Sequence, residues 1–267
     1  MGLKVAVAGK GGSGKTTVSA LLSSLLARSG EKVLLVDLDS DPNLASAVGV
    51  DARQARPLVH RGDLVAERTG SSGQPGGFFI LNPTVSDLVD RFAIPCAGGI
   101  ALLPVGTIEN AGEGCFCPQA AFVKALVRRI VLAEGESVVL DLEAGLEPFG
   151  RSAVEGMDLL LVVVEPGMRS VETAKRIATL SAGLGIRRIG IVANKVHPGN
   201  LPALEERLRE AGLPVDVRLG FSDALASRDL AGASILDCGD SGFESDVVRL
   251  LGLPARAAAR PPGVAGA

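Results

Sequence analysis

The 267-residue chain has no tryptophan and no tyrosine, and eight phenylalanines make up its whole aromatic content. The aromatic platforms on which single-stranded nucleic acid stacks are therefore missing. Basic residues are in no excess: 27 Lys and Arg stand against 30 Asp and Glu, a formal net charge of -3. Nothing general thus draws the chain to a phosphate backbone or to anionic lipid. No apolar stretch approaches the roughly 18 uninterrupted residues of a membrane span. The N-terminal end passes directly into the strand-like run Lys4 to Ala8, with no basic and hydrophobic leader before it. These absences predict a cytoplasmic protein that binds neither nucleic acid nor membrane. Cysteine is scarce as well, with four residues at 96, 115, 117 and 238. In a reducing cytosol structural disulfides are not expected among them, which leaves burial, reactivity or metal binding.

What is present is ordinary for a globular protein: 47% hydrophobic and 21% charged residues. Short β-branched runs alternate with helix-period segments. Strands are predicted at Leu3 to Ala8, Lys32 to Asp37, Ile100 to Pro104, Ser137 to Asp141, Asp158 to Val164, Arg188 to Ala193 and Val215 to Leu219. Several are apolar almost throughout, as strands covered on both faces of a parallel sheet are. After Cys117, Phe122, Leu126, Ile130 and Ala133 fall on one helix face. The alternation predicts an α/β fold, a doubly wound and mostly parallel sheet with helices on both faces. Residues 1–252 are read as a single domain, within which 51–99 form an insertion or long ordered loop. That stretch is rich in Gly, Ser and Pro from Gly70 to Gly77 and carries a short helix at Val85 to Phe92. Residues 253–267 are expected to be a flexible tail. No internal repeat is visible.

The first strand runs into Gly9, Lys10, Gly11, Gly12, Ser13, Gly14, Lys15, Thr16 and Thr17, and a helical segment follows at once. This is the G-x-x-x-x-G-K-[ST] phosphate loop in its required context of strand, loop and helix. Its glycines let backbone N–H groups turn inward, and the helix N-terminus adds partial positive charge. Lys15 is expected to bridge the β- and γ-phosphates of a nucleotide, and the Thr16 hydroxyl to ligate Mg²⁺. Asp37 and Asp39 stand at the end of the second strand in VDLDSDPN, and Asp141 ends a later one in VVLDLEAG. Carboxyl ends of strands in open α/β sheets surround the ligand, so these residues can converge on the loop. For Asp37 a role as N-cap or turn group stands beside a functional one. The run Asn194, Lys195, Val196, His197 looks like a guanine-reading N-K-x-D with His in place of Asp. Without that carboxylate adenine is favoured, with Asn194 as its contact.

Cys115 and Cys117 flank Phe116 and precede Pro118, a residue suited to the first turn of a helix. A helix N-terminus lowers thiol pKa and favours the thiolate a metal needs. Two sulfurs at i and i+2 cannot close a tetrahedral site, whereas two such pairs across a dimer axis can. The other reading of the pair is that both are small core hydrophobes. Cys96 and Cys238 have no patterned partner and are read as packing residues.

The double-lysine loop GKGGSGKTT resembles that of the MinD-like deviant Walker A ATPases, among them septum-positioning and partition ATPases, the nitrogenase iron protein and metal-centre maturation factors. The resemblance implies that Lys10 reaches across a homodimer to the partner's nucleotide and stabilises transition-state charge. It also implies that Asp39 orients the attacking water and lies by the Mg²⁺, and that Asp141 opens a switch segment and supports Mg²⁺. Together with C-x-C at Cys115 and Cys117 and with DLEAG at Asp141 to Gly145, the loop is similar to the CooC-type ATPases of carbon monoxide dehydrogenase maturation. That resemblance covers Lys4 to about Leu251. It implies an ATP- and ADP-binding metallochaperone that holds Ni²⁺ or Zn²⁺ between two chains and delivers nickel to carbon monoxide dehydrogenase or to a related client, acetyl-CoA synthase. Three rivals stand beside it. An electron-transfer ATPase like the nitrogenase iron protein would need a Cys after the switch segment, and Asp141 to Gly150 has none. A positioning ATPase would be expected to carry a basic amphipathic terminal helix, and an iron–sulfur scaffold would use C-x-x-C.

Overall fold

Runs such as KVAVAG and SVVLDL are apolar for most of their length. In the computed structural model both lie fully buried in a sheet, as β1 (Lys4–Gly9) and β5 (Ser137–Leu142). The structure describes residues 2–39, 43–71, 77–107, 117–132, 136–143, 156–184, 186 and 188–253. Among these, the other strands are β2 (Val33–Leu38), β3 (Ile94–Pro95), β4 (Ile100–Pro104), β6 (Leu159–Val164), β7 (Ile189–Val196) and β8 (Val215–Gly220). They form one sheet in the order β3-β4-β2-β5-β1-β6-β7-β8. All neighbours are parallel except β3 and β4. The chain winds one way from β1 to β2 and β4 and the other way from β6 to β8, so the carboxyl ends of β1, β2, β5 and β6 share one edge.

The helices are α1 (Lys15–Arg28), α2 (Asn43–Ala47), α3 (Gly62–Thr69), α4 (Leu88–Phe92), α5 (Pro118–Leu132), α6 (Met168–Ala182), α7 (Leu201–Glu210), α8 (Asp223–Leu230) and α9 (Ser241–Leu251). Alternate strand residues face opposite sides. Val5 and Val7 of β1 join a buried cluster with α1, α2 and α9, while Ala6 and Ala8 join a second with α5, α6 and α7. Each cluster contains one fully buried phenylalanine, Phe243 in α9 and Phe122 in α5. Burial of such a ring contributes on the order of 1.5–3 kcal/mol. Phe122, Leu126 and Ile130 are buried on one face of α5, which starts at Pro118 as the sequence predicts; Ala133 lies outside the described residues.

Two elements differ from the sequence reading. β7 continues through Asn194 to Val196, with a bulge against β8. Residues 51–99 contain, besides the short helix expected at Val85 to Phe92 (α4), also α3, β3 and a 3₁₀ turn at Leu58–His60. Leu58, Val59, Leu64, Val65, Val85 and Leu88 enter the same cluster as Phe122. The Val59 N–H donates to the Val105 carbonyl at 3.0 Å, so this segment contributes to the core. Part of the Gly70 to Gly77 stretch and residues 254–267 lie outside the described residues. No helix among the described residues is long and apolar enough to cross a membrane.

Candidate functional site

β1 ends at Gly9 and the chain turns through Gly12, at φ 78°, and Gly14, at φ 93°, a region open to glycine and strained for other residues. At Gly14 there is also no room: a Cβ would fall 2.1 Å from Nδ2 of Asn194. α1 then begins at Lys15 with no side-chain cap, which leaves its first N–H groups for an external acceptor. The Ser13 hydroxyl is fully buried and, among the described residues, has no hydrogen-bond partner. A buried hydroxyl in a loop of inward N–H groups suits an anion that brings its own oxygens. Lys15 is buried at the start of α1, and Gly11 and Gly12 are exposed.

Beneath the loop lie two carboxyl groups from adjacent strands, Asp37 of β2 and Asp141 of β5, in direct register. Asp141 is fully buried and accepts a hydrogen bond from Ser19 Oγ at 3.1 Å and another from the Thr16 hydroxyl. Desolvation pushes its pKa up to about 6, against the opposing pull of Thr16, Lys15 and Ser19. Asp37 is also raised well above the usual carboxylate range, first by burial and then by the charge of Asp141. Its Oδ1 accepts the Asp39 N–H at 3.0 Å, and the Leu44 amide also bonds to it. Asp37 thus occupies the turn-group position weighed above while also facing Asp141. Its carbonyl oxygen does something further, accepting the N–H groups of both Val105 and Gly106 at 3.0 Å. Asp39 is half-buried at the exit of β2, and residues 40–42 lie outside the described residues. Thr17 is half-buried in the first turn of α1.

Asn194 is buried, with Nδ2 donating to the Ser13 carbonyl at 2.7 Å and Oδ1 accepting the Lys195 N–H at 2.8 Å. One amide proton and one lone pair remain for another partner. Lys195 sits at φ 56° in the bulge of β7, and its Nζ donates to the Gly12 carbonyl at 2.6 Å. Lys10 Nζ lies 3.0 Å from Oε1 of Glu165, and Lys195 Nζ lies 3.7 Å from Oε2 of the same carboxylate. His197 is exposed, its Nδ1 accepting the Gly199 N–H.

Of the cysteine pair, Cys117 is half-buried immediately before α5, its carbonyl accepting the Ala121 N–H; Cys115, like Ala144 and Gly145 of DLEAG, lies outside the described residues. Cys96 and Cys238 are half-buried against the α1 face of the sheet, and burial pushes the Cys96 thiol up. Among the described residues no group of three or more His, Cys, Asp and Glu is placed to hold a metal ion.

Residues 4–235 match the profile of the CobQ/CobB/MinD/ParA nucleotide binding domain. The chain belongs to this family. It is 42% identical over 239 residues to the carbon monoxide dehydrogenase accessory protein CooC of Rhodospirillum rubrum, covering 88% of this chain and 90% of that one. It is 43% identical over 221 residues to an uncharacterised ATP-binding protein of Methanocaldococcus jannaschii, covering 82% and 84% respectively. The fold is similar to that of the septum site-determining protein MinD of Pyrococcus horikoshii, solved with Mg-ADP, at a TM-score of 0.65, 16% identity and coverage of 94% and 96%. As a MinD/ParA-type protein of the CooC branch, the chain is an ATPase.

Within this MinD/ParA frame, two residues went unassigned by the sequence reading. Glu165 follows β6 and precedes a proline. Its one detectable signal was its place at the carboxyl end of a strand. Lys195 was visible as part of an incomplete base motif, but nothing in its spacing announced a contact with the Gly12 carbonyl.

Proposed function

We propose that the chain works as a homodimer, in which ATP-driven association of two copies is coupled to handling of a thiolate-bound metal, nickel, for carbon monoxide dehydrogenase. The observation that carries the reading is the double engagement of Asp37. Its carboxyl group lies against Asp141 under the phosphate loop, while its carbonyl holds the two N–H groups that open the segment leading to Cys117. Movement at the end of β2 would reach that segment through hydrogen bonds already in place.

In this reading the N–H groups from Gly11 to Thr17 and the Lys15 ammonium receive the phosphates. Thr16, Asp39 and Asp141 offer the hard oxygens that suit Mg²⁺. When bound, Mg²⁺ supplies charge neutralisation at the phosphate oxygens. Asp39 orients the attacking water, and Lys10 acts on the nucleotide of the other copy. Cys115 and Cys117 from each copy together give four thiolates, enough for one tetrahedral Ni²⁺ or Zn²⁺ held between them as cargo.

Two measurements test this. The double change Cys115→Ser and Cys117→Ser should abolish metal-induced dimerisation, read by light scattering, with ATP binding intact. Retention of about half a metal per chain in that variant would overturn the bridging site. ATP should also displace a labelled ADP analogue roughly ten- to hundredfold more effectively than GTP, because guanine N–H groups would face His197 with no carboxylate to accept them. Equal displacement by GTP would remove the base assignment.

A further inference from the structure

We propose that Glu165 is the resting anchor of Lys10, and that Lys195 takes the place of Lys10 on this carboxylate when two copies close around nucleotide. The inference rests on the reading of Lys10 as a lysine that acts in the partner's site. An ammonium 3.0 Å from Oε1 of its own chain's Glu165 is folded back over its own subunit. To reach a second copy it must let go.

The anchor is a fixed one. Glu165 directly follows β6, whose Val163 pairs with Gly9 at the end of β1, so carboxylate and loop lysine leave neighbouring strands at the same edge. Its backbone N–H donates to Ser170 Oγ of α6 at 3.1 Å, which holds the residue at the junction of strand and helix. A carboxylate only 24% exposed would lose its nearer counter-charge when Lys10 departs, and weakening the pairing of a partly desolvated charge is costly. Lys195 answers this. Its Nζ already lies 3.7 Å from the other oxygen, Oε2, and a positive φ of 56° places it there, a conformation that a non-glycine residue adopts only where its surroundings impose it. Two lysines therefore bracket one carboxylate, one on each oxygen, and only Lys10 belongs to the segment that has somewhere else to go. Lys195 also holds the Gly12 carbonyl at 2.6 Å, so its shift toward Glu165 would be felt in the phosphate loop. Glu165 is a positioning residue: it acts through Lys10 and sets how readily the dimer closes.

The test is the dimer dissociation constant of the full chain with Mg²⁺ and a non-hydrolysable ATP analogue, measured by sedimentation. Glu165→Gln should tighten the dimer by roughly 2- to 30-fold, since two partly exposed ion pairs no longer have to open per dimer. Lys195→Met should loosen it several-fold, and the double variant should return to the Glu165→Gln value, because without the carboxylate there is nothing left for Lys195 to neutralise. A Glu165→Gln dimer no tighter than the native one overturns the anchor, and so does a Lys195→Met effect that is the same with and without Glu165. Failure of the underlying reading looks different. It would appear as native ATP turnover in Lys10→Ala, whatever the Glu165 variants do to association.

Discussion

Lys10→Ala is expected to lower ATP turnover by about 10³-fold, the size associated with a cation supplied to the transferring phosphoryl group from outside its own site, while nucleotide affinity stays within a few-fold of native. The structure supports this separation of effects. Lys10 contributes nothing to either buried cluster, and it and its partner Glu165 are both partly exposed. Removing it should thus change stability by no more than about 1 kcal/mol. Lys15, by contrast, is buried at the start of α1, and its removal should weaken nucleotide binding directly. Single-turnover phosphate release together with titration of a fluorescent ADP analogue distinguishes the two lysines. Native turnover in Lys10→Ala would end the assignment of a trans-acting lysine.

Asp141→Asn should stop hydrolysis and, in the same molecule, stabilise the nucleotide-free protein by up to about 3 kcal/mol at neutral pH. Its carboxyl has been moved from 3.8 to about 6, chiefly by desolvation, and each tenfold change in proton affinity is worth about 1.4 kcal/mol. The folded state binds this proton more tightly than the unfolded one, so ionisation opposes folding. The penalty is fully present above the folded value near 6 and disappears below the unfolded value near 3.8. Asparagine keeps an oxygen for Ser19 Oγ and removes the charge that also raises Asp37. Denaturant melts of the native chain should therefore show stability falling as pH rises across that interval, with a smaller fall in the variant. A variant less stable than native at pH 7.5 would contradict the account. The opposite signs of the two effects would mark a site in which stability has been given up for chemistry.

Much of this architecture was legible because it depends on local rules. Apolar six-residue runs become central strands whatever lies around them, and the glycine spacing of the phosphate loop admits few other conformations. Asp141 could be anticipated from its place at the end of such a run. β3 was not legible, since two residues, Ile94 and Pro95, carry no periodicity and pair only because β4 offers an open edge. Within 51–99 the short helix read at Val85 to Phe92 is present as α4 (Leu88–Phe92), whereas α3 was obscured by the Gly- and Pro-rich stretch that follows it, although Leu64 and Val65 were apolar residues in need of burial. Glu165 and Lys195 escaped for a different reason. Their meaning is a distance between elements 30 residues apart in sequence and both remote from Lys10, and such a distance exists only after the sheet has formed. Asp37 was read through its side chain, whereas half of what it does is done by its peptide oxygen.

That peptide oxygen has a consequence for how such a machine can diversify. The link from the floor of the nucleotide site to the thiol-bearing segment is written in backbone atoms alone, one carbonyl and two N–H groups, and is indifferent to which side chains follow. The steric demand falls on Val105, which is fully buried in the core, and on Gly106, at φ 78°, where a Cβ would fall 2.7 Å from Pro57 and 2.9 Å from Val59. On the proposed reading, the residues between Thr107 and Pro118 could change with the metal carried while these backbone hydrogen bonds stayed the same, so one nucleotide site could serve more than one cargo.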